Sequence, residues 1–185
     1  GRVSALNQSL RDLGIPVEIA EGAELSAARA DHLTGVELRE VSLGATGRWI
    51  LLEPSPGAIG ADFVALVDRL HDRGVRCVVA HPERHAAADI ADWLTRLVDR
   101  GALVQVTAAF LVGHGAAPVI LSWAAQGLVH LVGSDAHSAR VGRPATVSQG
   151  LRALATVPEL AEHMAWIAAD APRAILAGEQ VDVPF

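Results

Sequence analysis

The apolar positions along the chain follow a repeating order of strand, helix and strand. Short, continuous apolar runs predict strands, and the longer segments between them carry apolar residues at the three- and four-residue spacing of amphipathic helices. The predicted strands are 15–20, 49–52, 75–80, 102–106 and 128–133. The predicted helices are 3–13, 62–73, 90–100, 118–126 and most of 145–177, with a further short helix over 26–32.

The way these elements follow one another predicts an α/β fold with a parallel sheet. Gly74, Gly101 and Gly127 each stand just after a predicted helix and just before a predicted strand, where a left-handed residue commonly ends the helix. The strands are apolar throughout rather than alternating, as expected for parallel strands covered on both faces. No linker or repeat interrupts the pattern, so we expect a single domain over residues 1–185.

Composition narrows the class of protein. The chain has 185 residues, of which 51% are hydrophobic, so it is long and apolar enough to bury a sizeable core. A net charge of −6 argues against a nucleic-acid binder, and the single cysteine, Cys77, excludes an internal disulfide framework. No apolar run approaches the ~18 residues of a spanning helix. These features predict a soluble, cytoplasmic protein without membrane insertion.

The unusual polar residues collect where the predicted strands end. Glu24 follows the first predicted strand, Glu53 and His81 follow the next two, and Asp135 and His137 follow the last. Because the carboxyl ends of parallel strands share one edge of the sheet, these five side chains should converge. Imidazole and carboxylate together form a ligand set for Mn, Fe, Zn or Co. The sequence therefore predicts a divalent-metal site.

Three arginines, Arg84, Arg140 and Arg143, lie in the same loops as the predicted ligands. A guanidinium group beside metal ions is suited to holding a phosphate and offsetting its charge, so the pattern favours metal-assisted hydrolysis of a phosphate ester. Taken singly, Asp135 is better explained as a helix cap, and each glutamate as a solvated loop acid.

Other reactive side chains have simpler interpretations. His130 lies within a predicted strand and is expected to be an interior histidine, and Cys77 a small core residue. The sequence does not decide the role of His85 or of His114.

Two motifs resemble a known superfamily. The run Ala-His-Pro-Glu-Arg-His over 80–85 and the run Gly-Ser-Asp-Ala-His over 133–137 resemble the polymerase-and-histidinol-phosphatase (PHP) superfamily. Within it, the chain is most similar to the metal-dependent protein-tyrosine phosphatases of bacterial capsule and exopolysaccharide systems. The order and spacing of the matching segments hold from about residue 3 to residue 178.

The resemblance implies a distorted (β/α) barrel with two or three divalent ions, often manganese, that hydrolyses phosphotyrosine on a partner tyrosine kinase. Arg84 and Arg143 match positions that hold the phosphate. The metal-ligand positions of the family match the five residues selected above from their place at the strand ends, namely Glu24, Glu53, His81, Asp135 and His137.

Members of this superfamily also carry an amino-terminal strand with a His-x-His metal motif, which this sequence does not contain. We therefore expect the barrel to be incomplete at its amino terminus.

Two alternative functions stay open at this point. One is a small-molecule phosphomonoesterase of the histidinol-phosphatase kind, and the other is a non-catalytic binding or regulatory module. Metal identity, with Mg also among the candidates, and homo-oligomerisation stay open as well.

Overall fold

The computed structural model describes residues 1–57, 59–85, 88–113, 115–138 and 145–185. Within these ranges, five strands form one sheet in which every neighbouring pair is parallel and the order in space follows the order along the chain. The strands are β1 (Glu24–Ser26), β2 (Trp49–Glu53), β3 (Arg76–Ala80), β4 (Leu103–Thr107) and β5 (Leu131–Gly133). The predicted α/β class with a parallel sheet is thus confirmed.

Helices connect and cover the strands. The α-helices are α1 (Arg2–Asp12), α2 (Ala27–Ala30), α3 (Gly35–Val41), α4 (Ala61–Asp72), α5 (Ile90–Val98), α6 (Ala117–Ala125), α7 (Ser148–Leu154) and α8 (Ala171–Ala177). Shorter 3₁₀ turns occupy Leu43–Ala45, Pro82–His85, Ala108–Leu111 and Pro158–His163, and a π turn spans Trp166–Asp170. Within the described ranges, none of the helices combines the length and the apolar character needed to cross a bilayer.

Both faces of the sheet are buried, which explains the continuous apolar runs. Neighbouring residues on one strand point to opposite faces, so Ile50 joins the larger hydrophobic cluster while Trp49 joins a smaller one. The larger cluster includes the inner faces of α4, α5 and α6, and the smaller one includes Ile175 of α8. A strand covered on both sides needs apolar residues at every position.

The first predicted strand, over 15–20, is wrong. This segment lies outside the sheet with Val17 57% exposed, and the first strand is instead the three-residue β1. Pro16 has no N–H to give to a ladder, and the side-chain amide of Asn7 both donates to and accepts from the backbone of Ile19. The backbone at Ile19 is thereby satisfied without a partner strand.

The other predicted elements agree with the structure within a few residues, apart from β5, which is shorter than the predicted 128–133. Gly74, Gly101 and Gly127 all have positive φ, between 72° and 79°, as expected at the ends of the helices that precede β3, β4 and β5. Cys77 and His130 are buried as predicted, and burial raises the pKa of Cys77 to about 12. The turns at these three glycines return the chain to the start of each parallel strand, so the carboxyl ends of the strands lie at a single edge of the sheet.

Candidate metal centre

Three of the predicted ligands meet at the carboxyl edge of the sheet. Glu24, which was expected to follow a strand, instead begins β1, whereas His81 follows β3 and Asp135 follows β5. Each of the three offers a ligand atom within 4.8 Å of the other two. His81 is almost fully buried, and its Nε2 lies 2.9 Å from Oε1 of Glu24. Glu24 and Asp135 are 111 positions apart in the sequence, and the parallel sheet brings them into one small site.

Glu53 and His137 lie beside this group of three. Glu53 is the last residue of β2, and its Oε1 lies 3.8 Å from Nε2 of His81. The ring of His137 is 71% exposed, and its Nδ1 lies 3.0 Å from the backbone oxygen of Asp135 and 3.5 Å from its Oδ1. The structure therefore brings Glu53 to the site and leaves His137 at its outer margin.

Backbone conformation marks the same positions. Among the described residues other than glycine, positive φ occurs at His81 (32°), Asp135 (48°) and Ala45 (54°). Such conformations are unfavourable for side chains with a Cβ, and they concentrate at functional sites, where the surrounding structure holds them in place. Two of these three residues are the ones that follow β3 and β5 and carry predicted ligands.

Arg84 supplies the positive charge at the site. It lies in the 3₁₀ turn Pro82–His85, and its Nη2 forms an ion pair with Oδ2 of Asp135, whose side chain is only 5% exposed. Arg84 therefore lies against Asp135, one of the predicted ligands. Arg143, Arg140 and His114 lie outside the described residues.

Two contacts at this edge were not predicted. The carboxylate of Glu83 is buried and accepts a hydrogen bond from the backbone N–H of Thr107 at 2.8 Å. His85, undecided from the sequence, has its Nδ1 3.0 Å from the backbone oxygen of Gly57, so it joins the loop after β2 to the turn after β3. Glu83 lies in the 3₁₀ turn Pro82–His85 with its side chain buried, and no pattern of apolar residues signals that.

Close packing also shapes the strand that leads to Asp135. A Cβ at Gly133 would overlap the side-chain amide of Gln105, which extends from β4 against β5. A larger residue at Gly133 would therefore displace the Gln105 amide immediately before the Asp135 loop.

The donor set fits a divalent cation. One imidazole and two carboxylates with ligand atoms this close together, and a third carboxylate adjacent, match the preferences of Mn, Fe, Zn and Co. Nδ1 of His81 is buried without a hydrogen-bond partner in the described part of the chain, while Nε2 faces the acids. The fold and the site together define an α/β protein with a carboxylate-rich candidate metal centre at one edge of a parallel sheet.

Comparison with known proteins identifies the family. The family described as capsular polysaccharide synthesis, CpsB/CapC, matches residues 1–176, and the chain belongs to it. A Staphylococcus aureus relative, CapC, whose name marks it as a candidate tyrosine-protein phosphatase, is 27% identical over 136 residues. That match covers 71% of this chain and 52% of the relative, so the chain spans about half the length of the curated relative it matches.

A solved structure shares the fold. It comes from work on YwqE of Bacillus subtilis and CpsB of Streptococcus pneumoniae, described there as metal-dependent tyrosine phosphatases. The TM-score is 0.77 at 23% sequence identity, over 97% of this chain and 73% of that chain. The likeness shows that the two chains share a fold, in agreement with the α/β fold expected from the sequence. Among the described residues the five strands form an open sheet, because β1 and β5 each have a neighbour on one side only.

Proposed function

We propose that this protein is a metal-dependent protein-tyrosine phosphatase that acts on a tyrosine kinase of capsule or exopolysaccharide synthesis. The observation that carries the proposal is the convergence of Glu24, His81 and Asp135 with Arg84 beside them. Membership of the CpsB/CapC family and the names of its relatives supply the substrate class. Residues 1–185 are taken as a single domain, and the setting as the cytoplasm.

The proposed metal ligands are Glu24, Glu53, His81, Asp135 and His137, with Mn²⁺ as the first candidate ion. Divalent ions at such sites neutralise the charge of a phosphoryl group and activate water as the nucleophile. Glu24 and His81 approach one another from β1 and β3, so the sheet itself holds them at the required separation. His137 joins the set from the exposed side of Asp135.

Arg84 is proposed to bind the phosphate. Its guanidinium group offers paired N–H donors whose geometry matches phosphate oxygens, and its side chain is 28% exposed, so a substrate can reach it. The ion pair with Asp135 holds the guanidinium group at the margin of the ligand cluster. Arg143, matched by the resemblance, is proposed as the second phosphate-binding arginine.

Hydrolysis assays on the full chain test the proposal. A phosphotyrosine peptide and histidinol phosphate are compared as substrates in the presence of MnCl₂, and then with Fe²⁺, Zn²⁺, Co²⁺ and Mg²⁺. We expect a higher kcat/KM on the peptide, and loss of at least about a hundredfold in kcat in His81→Ala and Asp135→Ala, since each substitution removes a ligand. His71→Ala, an exposed histidine of α4, is the matched control and should retain full activity.

The alternative functions predict other results. A strong preference for histidinol phosphate would identify a small-molecule phosphomonoesterase instead. Binding of Mn²⁺ without turnover of either substrate, under any of the metals, would identify a non-catalytic module.

A further inference from the structure

The chain leaves β3 at the point where the candidate site begins. The pairing of β3 with β4 runs to Ala80 and Gln105, and the N–H of His81 donates to the carbonyl of Gln105 at 2.8 Å. In a regular parallel ladder the carbonyl of His81 would next accept the N–H of Thr107. Instead the carbonyl of His81 accepts the N–H of Arg84, which closes the 3₁₀ turn.

The side chain of Glu83 replaces the carbonyl of His81 as the hydrogen-bond acceptor for Thr107. Its Oε1 accepts the N–H of Thr107 at 2.8 Å, so β4 keeps a partner at the position where β3 has turned away. Glu83 is 6% exposed and Thr107 is fully buried, which means that water does not supply an equivalent bond. A buried N–H without a partner is unfavourable, so this contact is needed for the turn to remain in place.

We infer that Glu83 is a positioning residue, which fixes His81 and Arg84 by anchoring the turn between them to β4. His81 lies two residues before Glu83 and Arg84 one residue after it, so the anchor controls both. Arg84 in turn reaches Asp135 beyond β5, which links the ends of β3, β4 and β5. Glu83 is absent from the cluster of ligand atoms found among the described residues, which favours positioning over direct coordination.

The positioning role of Glu83 depends on the length of its side chain and not on its charge. Glutamine at position 83 keeps the length and an acceptor oxygen for Thr107, whereas aspartate keeps the charge and is one methylene too short. The inference rests on the proposed function, because a phosphatase site is what the turn is taken to arrange. Positioning predicts that Glu83→Gln preserves the site and that Glu83→Asp damages it. Direct metal binding by Glu83, or a need for its negative charge, predicts that Glu83→Gln is damaged at least as much as Glu83→Asp.

The experiment measures Mn²⁺ affinity by isothermal titration calorimetry and kcat and KM on a phosphotyrosine peptide for the full-length variants. We expect Glu83→Gln to remain within about threefold of the wild type in both, and Glu83→Asp to lose about tenfold or more in Mn²⁺ affinity, as for residues that orient metal ligands. The fall in kcat/KM should lie mainly in kcat. Thr34→Ala, which removes the capping box of α3, is the control for lost stability and should leave both readouts unchanged.

Each result has a distinct meaning. Wild-type behaviour of Glu83→Asp, or damage to Glu83→Gln as large as that to Glu83→Asp, would overturn the positioning role. If the wild type binds Mn²⁺ but hydrolyses no phosphotyrosine peptide, the proposed function fails while the Mn²⁺ affinities of the two variants still decide the role of Glu83. A wild type that binds no Mn²⁺ would overturn both.

Discussion

We expect the ion pair between Arg84 and Asp135 to couple folding to cation binding. Asp135 is a proposed metal ligand, and its buried carboxylate is paired with Arg84. Replacing Arg84 by alanine removes a positive charge that a bound cation would replace. We therefore expect Arg84→Ala to destabilise the metal-free protein and to bind a divalent cation more tightly, while its turnover of phosphotyrosine falls.

The magnitude follows from the burial of the two side chains. Removing one partner of a fully buried ion pair costs about 3–5 kcal/mol, and an exposed pair contributes about 0–1 kcal/mol. The side chain of Asp135 is 5% exposed and that of Arg84 is 28% exposed, so this pair lies towards the buried end. We expect a loss of about 2–3 kcal/mol from a total stability on the order of 5–15 kcal/mol. By reciprocity, the same coupling corresponds to a gain in cation affinity of up to about 100-fold.

Urea unfolding in EDTA and in saturating MnCl₂ measures the loss of stability. Calorimetric titration with Mn²⁺ measures the gain in cation affinity. The loss of about 2–3 kcal/mol in EDTA should shrink below about 1 kcal/mol when Mn²⁺ is bound, because the ion then neutralises Asp135. Arg69→Ala is the matched control. It breaks an exposed two-bond pair with Asp31, and its smaller effect should be the same with and without Mn²⁺.

Two outcomes would refute this reasoning. An equal loss of stability in EDTA and in MnCl₂ would mean that the cation does not replace Arg84 as the partner of Asp135. Unchanged or weaker Mn²⁺ binding by Arg84→Ala would mean that the guanidinium group and the ion do not compete for the same carboxylate.

Three further expectations concern single positions. His137→Ala should weaken Mn²⁺ binding while changing the free energy of unfolding by no more than about 0.5 kcal/mol, because the ring is exposed; unchanged Mn²⁺ affinity would remove His137 from the ligand set. Gly150→Ala should cost about 1–3 kcal/mol in urea unfolding, since its Cβ would lie 2.8 Å from Cα of Ala108, and an unaffected midpoint would contradict that close approach. Burial lowers the pKa of His130 to about 4 from 6.5, so the unfolded chain takes up the proton first as the pH falls. The resulting stability is complete above pH 6.5 and declines towards pH 4, by about 2 kcal/mol between pH 7.5 and 5, and a His130→Gln variant with the same decline would show that His130 is not its source.

The sequence by itself determined the parallel α/β architecture and the edge of the sheet at which the candidate site lies. Strands buried on both faces leave continuous apolar runs such as 75–80, and the helix-ending glycines mark where each strand begins. Both signals are local, because burial of a short segment is expressed in its own residues. Polar residues placed just after such runs, including His81 and Asp135, could therefore be assigned to one edge before any contact was known.

Tertiary structure decided the contacts that cross between strands. The run 15–20 has strand-like composition, yet Asn7 satisfies the backbone of Ile19 and the sheet begins at Glu24. The pairing of Arg84 with Asp135 and the inward turn of Glu83 depend on backbone angles after His81 and on strands brought together from distant parts of the chain. Such contacts depend on three-dimensional packing and on the need to satisfy buried polar groups. The local order of apolar and polar residues predicts neither of these.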